Sequence, residues 1–166
     1  KKAINILSKI KVKINSNLDL ACGTGMFAGE LKKKYTNIII DGCDISSQSL
    51  QIAKKKNIYR KLFKKSFETK INIIKKYDSV SMIGSMTYCK KPKFLLLLIL
   101  NYLKKNGVFI FTHRIDLWER QNFDSIIESF NKSLKIIYKS RPLNYLPKNI
   151  SFTNKIKIRI VVLKKI

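Results

Sequence analysis

The stretch NLDLACGTGMFAGEL, from Asn17 to Leu31, constrains the fold more than any other part of the chain. An apolar run holding one aspartate ends in Gly23-Thr24-Gly25, and Phe27, Leu31 and Tyr35 then recur at helical spacing. A buried strand passing into a helix through a glycine loop is the opening unit of a parallel α/β sheet. In such a sheet ligands sit beyond the carboxyl ends of the strands, which is where this turn opens. Gly23 and Gly25 let the backbone approach a bound molecule and adopt dihedrals that a side chain resists.

The rest of the chain repeats the alternation. Lys1–Ile10 reads as a short amphipathic helix, Asn17–Leu20 as a strand and Met26–Tyr35 as a helix. Ile38–Cys43 reads as a second strand closed by Asp44, and Ser46–Ser49 offers an N-cap to a helix that runs into Lys54-Lys55-Lys56. Cations there suit the helix dipole. A third strand is expected over Tyr59–Lys64, a helix over Glu68–Lys76 and a fourth strand over Tyr77–Gly84. A loop to Pro92 then leads into an apolar helix reaching Lys104. Asn106-Gly107 turns the chain into a strand at Val108–Thr112. A helix over Trp118–Phe130, a strand at Leu134–Tyr138, a Pro-containing loop at Arg141–Pro147 and a last strand at Lys155–Leu163 complete the reading. The expected class is α/β, a mostly parallel sheet ending in an antiparallel hairpin. Residues 1–166 read as one domain. The chain starts at Lys1 rather than methionine, which leaves its N-terminus open to truncation.

The formal net charge of +25 raises nucleic acid or an anionic surface as a partner. However, 30 of the 35 basic residues are Lys, and the five Arg are scattered. Lys, Ile and Asn share AT-rich codons, so genome composition accounts for much of the charge. Cys22, Cys43 and Cys89 are odd in number and share no C-x-x-C spacing, so neither a disulfide framework nor a metal site is expected, and the reading is a reduced, cytoplasmic protein. The apolar run Phe94–Leu100 falls far short of a bilayer span, so no membrane partner is expected.

Gly23-x-Gly25-x-x-Ala28 formally fits a dinucleotide fingerprint. A pyrophosphate on the helix N-terminus would meet Asp19 on the first strand, so the acid argues for a cofactor without phosphates that carries positive charge. Asp44 follows Gly25 by about the 20 residues expected of an acid that accepts from ribose hydroxyls. DLACGTG at Asp19–Gly25 resembles the signature loop of class I S-adenosylmethionine-dependent methyltransferases. Ala53–Glu68, YDSVSMIGSMTY and GVFIFTHR are similar to the subgroup related to the Williams-Beuren-region protein and its bacterial relatives. The resemblance implies a Rossmann-like three-layer sandwich with a seven-stranded sheet, and S-adenosyl-L-methionine as cofactor.

By position, the resemblance implies that Asp19, Ala21, Gly23 and Gly25 line the methionine end of the cofactor, with Ala21 a small-for-small replacement of glycine. Asp44 would take the ribose, Ile45 would pack on the adenine, and Ser66 and Phe67 would stand at the adenine edge. Ser66 departs from the usual acid there. Gly84, Ser85 and Met86 would face the methionine moiety and the acceptor. Methyl transfer from an activated donor works largely through proximity, so no catalytic signature is required. His113 and Tyr88 are the candidate bases, and Tyr145 a further pocket wall. The Asn-Pro-Pro-Tyr tetrapeptide of amino methylation is replaced by GSMTYCKKP. The expected acceptor is a small molecule. The alternatives are tRNA or rRNA, which rests on the charge, and an inactive binding protein, which rests on Ser66. Nothing in the sequence fixes an oligomeric state.

Overall fold

The computed structural model describes residues 2–10, 12–145 and 156–166. Strands β1 (Ser16–Leu20), β2 (Ile39–Asp44), β3 (Lys61–Lys64), β4 (Tyr77–Met82) and β5 (Leu103–Arg114) lie parallel in the order β3-β2-β1-β4-β5. Of the last three, β6 (Leu134–Lys139), β7 (Leu143–Asn144) and β8 (Lys157–Lys165), β8 alone is reversed: it lies antiparallel between β5 and β6, and the two-residue β7 pairs antiparallel with it as an eighth strand where seven were expected. The expected α/β class and antiparallel end are therefore both present. Chain order reverses between β1 and β4, so the loops leaving these two strands part over a crevice.

Period-two alternation divides the side chains between two faces. Leu18 and Leu20 of β1, Val80 and Met82 of β4, and Phe109 and Phe111 of β5 join the core beneath α4 (Pro92–Tyr102), α5 (Ile115–Arg120) and α6 (Phe123–Glu128). Val108 and Ile110 of β5 and Ile160 and Val162 of β8 pack on the other face under α1 (Lys2–Lys9) and α2 (Met26–Lys34). In the middle of that second face β1 and β4 present Asn17, Asp19, Ser79 and Ser81, all buried. The remaining helix, α3 (Ser47–Lys55), is capped by Ser46, whose hydroxyl accepts from the Ser49 amide at 3.1 Å.

Three expectations need correction. Glu68–Lys76 is not a helix. The Glu68 carboxylate accepts from the Lys90 and Lys91 amides, and the Ile71 amide donates to the Tyr102 hydroxyl, so tertiary partners claim a segment whose Ile71, Ile73 and Ile74 are poor helix formers. The expected helix over Trp118–Phe130 is two short helices, broken where Asn122 takes φ 47°. The apolar helix stops at Tyr102, and β5 starts at once, with a shift of register before Val108. Lys1, Pro147 and Lys155, which bound three of the expected elements, lie outside the described residues.

Candidate functional site

Asp19 stands one residue before the end of β1 and is 2% exposed. Its Oδ1 accepts from the Ser81 hydroxyl at 2.7 Å and its Oδ2 from the Tyr59 hydroxyl at 2.9 Å. Burial outweighs these two donors and pushes the acid up to about 6. Ser81 in turn accepts from the Asn17 amide, whose oxygen accepts from Ser79, so a polar ladder crosses the two central strands and ends at the crevice.

After Leu20 the backbone twists through three residues with positive φ: Ala21 at 52°, Gly23 at 53° and Gly25 at 80°. A Cβ placed on Gly23 would meet nothing within 4 Å, and the same holds at Gly84, where φ is 90°, after β4. Between these two bare backbones lies a cavity of about 420 Å³ walled also by Asp19, Ala21, Thr112 and Tyr145. Gly25 serves another purpose. A Cβ there would come within 3.0 Å of the Tyr59 ring, so this glycine makes room for a side chain of the protein.

Ala21 stands where a small-for-small replacement of glycine was expected, and its left-handed backbone strains the alanine. Ala21→Gly is therefore expected to stabilise the chain by about 1 kcal/mol, measured as a raised denaturation midpoint.

The remaining expected residues divide by location. Asp44, at the end of β2, accepts from the Gly23 amide at 2.8 Å and from the Ser46 amide at 2.9 Å, and so ties the glycine loop to α3. Ile45 is 69% exposed beside it. Ser66 accepts from the Glu68 amide in a turn, and Phe67 packs partly on the core. Asp44, Ile45, Ser66 and Phe67 thus form a shoulder on the β2–β3 side of the loop, outside the cavity wall. Ser85 opens a single 3-10 turn over Met86–Tyr88 without wall contact, and Met86 is fully buried in the core rather than facing the site.

A smaller cavity of about 90 Å³ shares Gly84, Thr112 and Tyr145 with the first and adds Thr87, Tyr88, His113 and Arg114. Tyr88 is largely exposed there. His113 is 1% exposed, and its ring packs against Trp118 and Phe123. Burial lowers its pKa, so the ring is neutral and carries one proton. The Arg114 carbonyl can only accept, so Nδ1 donates to it at 2.8 Å. Nε2, 3.1 Å from the end of the Gln121 side chain, then accepts from that amide group turned to present its nitrogen. Both ring nitrogens thus have partners within the protein. Cys22, in the glycine loop, is held as a thiol because burial and the nearby Asp19 and Asp44 push it up to about 12.

Three residues went unnoticed in the sequence: Tyr59, Thr112, whose hydroxyl accepts from the Gly84 amide at 2.7 Å, and Arg114. One signal for Tyr59 was available. Gly42 interrupts the apolar strand β2, and a Cβ there would fall 2.7 Å from the Tyr59 ring.

Among the described residues no helix is long and apolar enough to cross a membrane, and no group of three metal-binding side chains is gathered. A family model described as a methyltransferase domain matches residues 18–109, more than half of the chain. Malonyl-[acyl-carrier protein] O-methyltransferase of Halalkalibacterium halodurans is 28% identical over 141 residues, covering 79% of this chain and 50% of its own length. The chain thus spans about half of that curated relative. Among solved structures, the plantazolicin methyltransferase BpumL in complex with a desmethylplantazolicin analogue and SAH superposes with a TM-score of 0.77 at 15% identity, over 99% of this chain and 83% of that one. N-methyltransferase NodS of Bradyrhizobium japonicum does so with 0.74 at 11%, over 99% and 93%. An S-adenosylmethionine-dependent methyltransferase of Clostridium acetobutylicum gives 0.74 at 19%, over 97% and 88%. At these identities the structural likeness establishes the fold.

Proposed function

This chain belongs to the family of methyltransferase domains, and from that premise we propose that it binds S-adenosylmethionine and methylates a carboxylate oxygen of a small-molecule acceptor. The observation that carries the reading is the pair of bare backbones, Gly23 and Gly84, facing one cavity beside a buried acid. They form a cradle that side chains would fill, and Asp19 supplies negative charge for a cationic ligand. Asp44 retains acceptor capacity for ribose hydroxyls after taking two amides, since a carboxylate offers about four lone-pair sites. Ile45 offers an exposed apolar face to the adenine, with Ser66 and Phe67 at its edge. In this reading Gly25 and Ser85 act through the shape of their loops.

When bound, S-adenosylmethionine supplies a methyl group already activated by its sulfonium. The chain's own contribution is then orientation and exclusion of water. A carboxylate acceptor is ionised at neutral pH and needs no base, which suits a site where His113 is fully bonded and Cys22 is held protonated. Arg114 lines the smaller cavity with its guanidinium held by both oxygens of Asp116, at 3.1 and 2.6 Å, and its remaining N–H groups would donate to such a group, with Tyr88 and Tyr145 as walls. The relative named for malonyl-[acyl-carrier protein] O-methylation supports the same acceptor chemistry. We assign residues 1–166 to one catalytic unit working in the cytoplasm, where its three free cysteines stay reduced.

Calorimetric titration with S-adenosylmethionine and, separately, with NAD tests the cofactor. Micromolar binding of the first alone is expected, and binding of NAD alone would overturn it. Formation of S-adenosylhomocysteine with short dicarboxylic acids, free or thioester-linked, tests the acceptor; turnover confined to RNA would favour the alternative that the +25 charge raises. Asp44→Ala is expected to weaken cofactor binding about tenfold or more through loss of a charge-assisted hydrogen bond. Unchanged affinity by the same titration would remove Asp44 from the site.

A further inference from the structure

Tyr59 lies between α3 and β3, just ahead of the strand it was expected to open, and it touches three parts of the site. Its hydroxyl donates to Asp19 Oδ2 at 2.9 Å. One edge of its ring fills the space over Gly25 in the glycine loop, and the other fills the space over Gly42 in β2. The next residue is pinned in turn, since the Arg60 amide donates to the Ile40 carbonyl at 2.8 Å and its guanidinium pairs with buried Asp41. Two glycines thus give up their side chains to seat one ring, and that ring ends on the only carboxylate among the described residues of the cavity wall.

We propose that Tyr59 is a positioning residue for the cofactor: its hydroxyl keeps Asp19 as a carboxylate facing the cavity, and its ring fixes the path of the glycine loop. This rests on the S-adenosylmethionine reading above and extends it to the choice between substrate and product. S-adenosylmethionine carries a sulfonium that S-adenosylhomocysteine lacks, so an anionic Asp19 favours the substrate over the spent product. The groups facing Asp19 are few. Ser81 on β4 and Tyr59 donate to it, Cys22 in the glycine loop is a neutral thiol, and Asp44 at the end of β2 is a second acid that disfavours its charge. Oδ1 keeps its Ser81 donor whatever stands at position 59. Removal of the Tyr59 hydroxyl leaves Oδ2 with no donor among the described residues, so the carboxylate becomes harder to form.

The test is Tyr59→Phe, which keeps the ring between the two glycines. Calorimetric affinities for S-adenosylmethionine and S-adenosylhomocysteine are measured from pH 5 to 8 on wild type and variant. The expected result at pH 7 is about a tenfold loss for S-adenosylmethionine with less than about a threefold loss for S-adenosylhomocysteine. The pH below which S-adenosylmethionine affinity falls is expected to move upward. Equal losses for both ligands with an unmoved pH profile would reduce Tyr59 to packing and overturn the proposal. If the phenylalanine variant does not fold, 3-fluorotyrosine at position 59 keeps the ring and strengthens the donor. The pH profile must then move downward, and no movement overturns the proposal. Wild type that binds neither ligand would refute the cofactor reading itself, a result separable from the variant comparison.

Discussion

Gly23→Val is expected to abolish S-adenosylmethionine binding while the chain still folds. The Cβ of residue 23 projects into open cavity, with nothing within 4 Å, so an isopropyl group would occupy ligand volume rather than collide with protein. Overfilling a site of fixed shape costs roughly 3 kcal/mol, about a hundredfold in affinity. The backbone also objects, because φ there is 53° and a branched side chain in the left-handed region costs roughly 2 kcal/mol. Ala21, two residues earlier, already holds a side chain at φ 52°, so the loop tolerates such strain. Calorimetry and a denaturant melt separate the effects: no heat of binding, with a lowered but cooperative transition. A variant that bound normally would show that the glycine loop does not approach the ligand.

The glycine loop was legible because its reasons are local. A strand must end, a helix must start, and a ligand needs bare backbone between them, all within fifteen residues. The parallel run of the first five strands followed from the same alternation, and the place of Asp44 at the end of β2 from the apolar run before it. What stayed hidden depends on partners distant in sequence. The segment Glu68–Lys76 has helical spacing, but the amides of Lys90 and Lys91 and the hydroxyl of Tyr102 claim its polar groups from more than 20 residues away. His113 stands at a strand end near the crevice, as a base would. Only the packing of Trp118 and Phe123 and the reach of Gln121 reveal that it is bonded on both nitrogens. Tyr59 was hidden for the same reason, since its hydroxyl partner lies 40 residues earlier and its ring is seated by two glycines in separate elements. Gly25 has a local reason, its φ of 80°, and a distant one, since a Cβ there would also meet the Tyr59 ring.

Asp19→Asn is expected to make the unliganded chain more stable at neutral pH and worse at holding S-adenosylmethionine. Asp19 titrates at about 6 in the folded chain, against an ordinary value of 3.8. Between those two pH values the folded state binds more protons than the unfolded one, so its stability falls as pH rises through the window. Above pH 6 the full penalty is present, on the order of 3 kcal/mol for a shift of this size; below about pH 4 it has vanished. Asparagine carries no charge to desolvate, and the hydroxyls of Tyr59 and Ser81 can rotate to accept from its amide as well as donate to its oxygen. Denaturant melts at pH 5 and pH 7.5 should therefore show wild type losing stability with rising pH and the variant nearly level, with the gap opening toward neutrality. A variant less stable than wild type at pH 7.5 would mean that the carboxylate serves the fold. The expected sign means the opposite. A buried anion at the end of β1 is tolerated against the stability of the empty chain, and a cation arriving in the cavity offsets that cost.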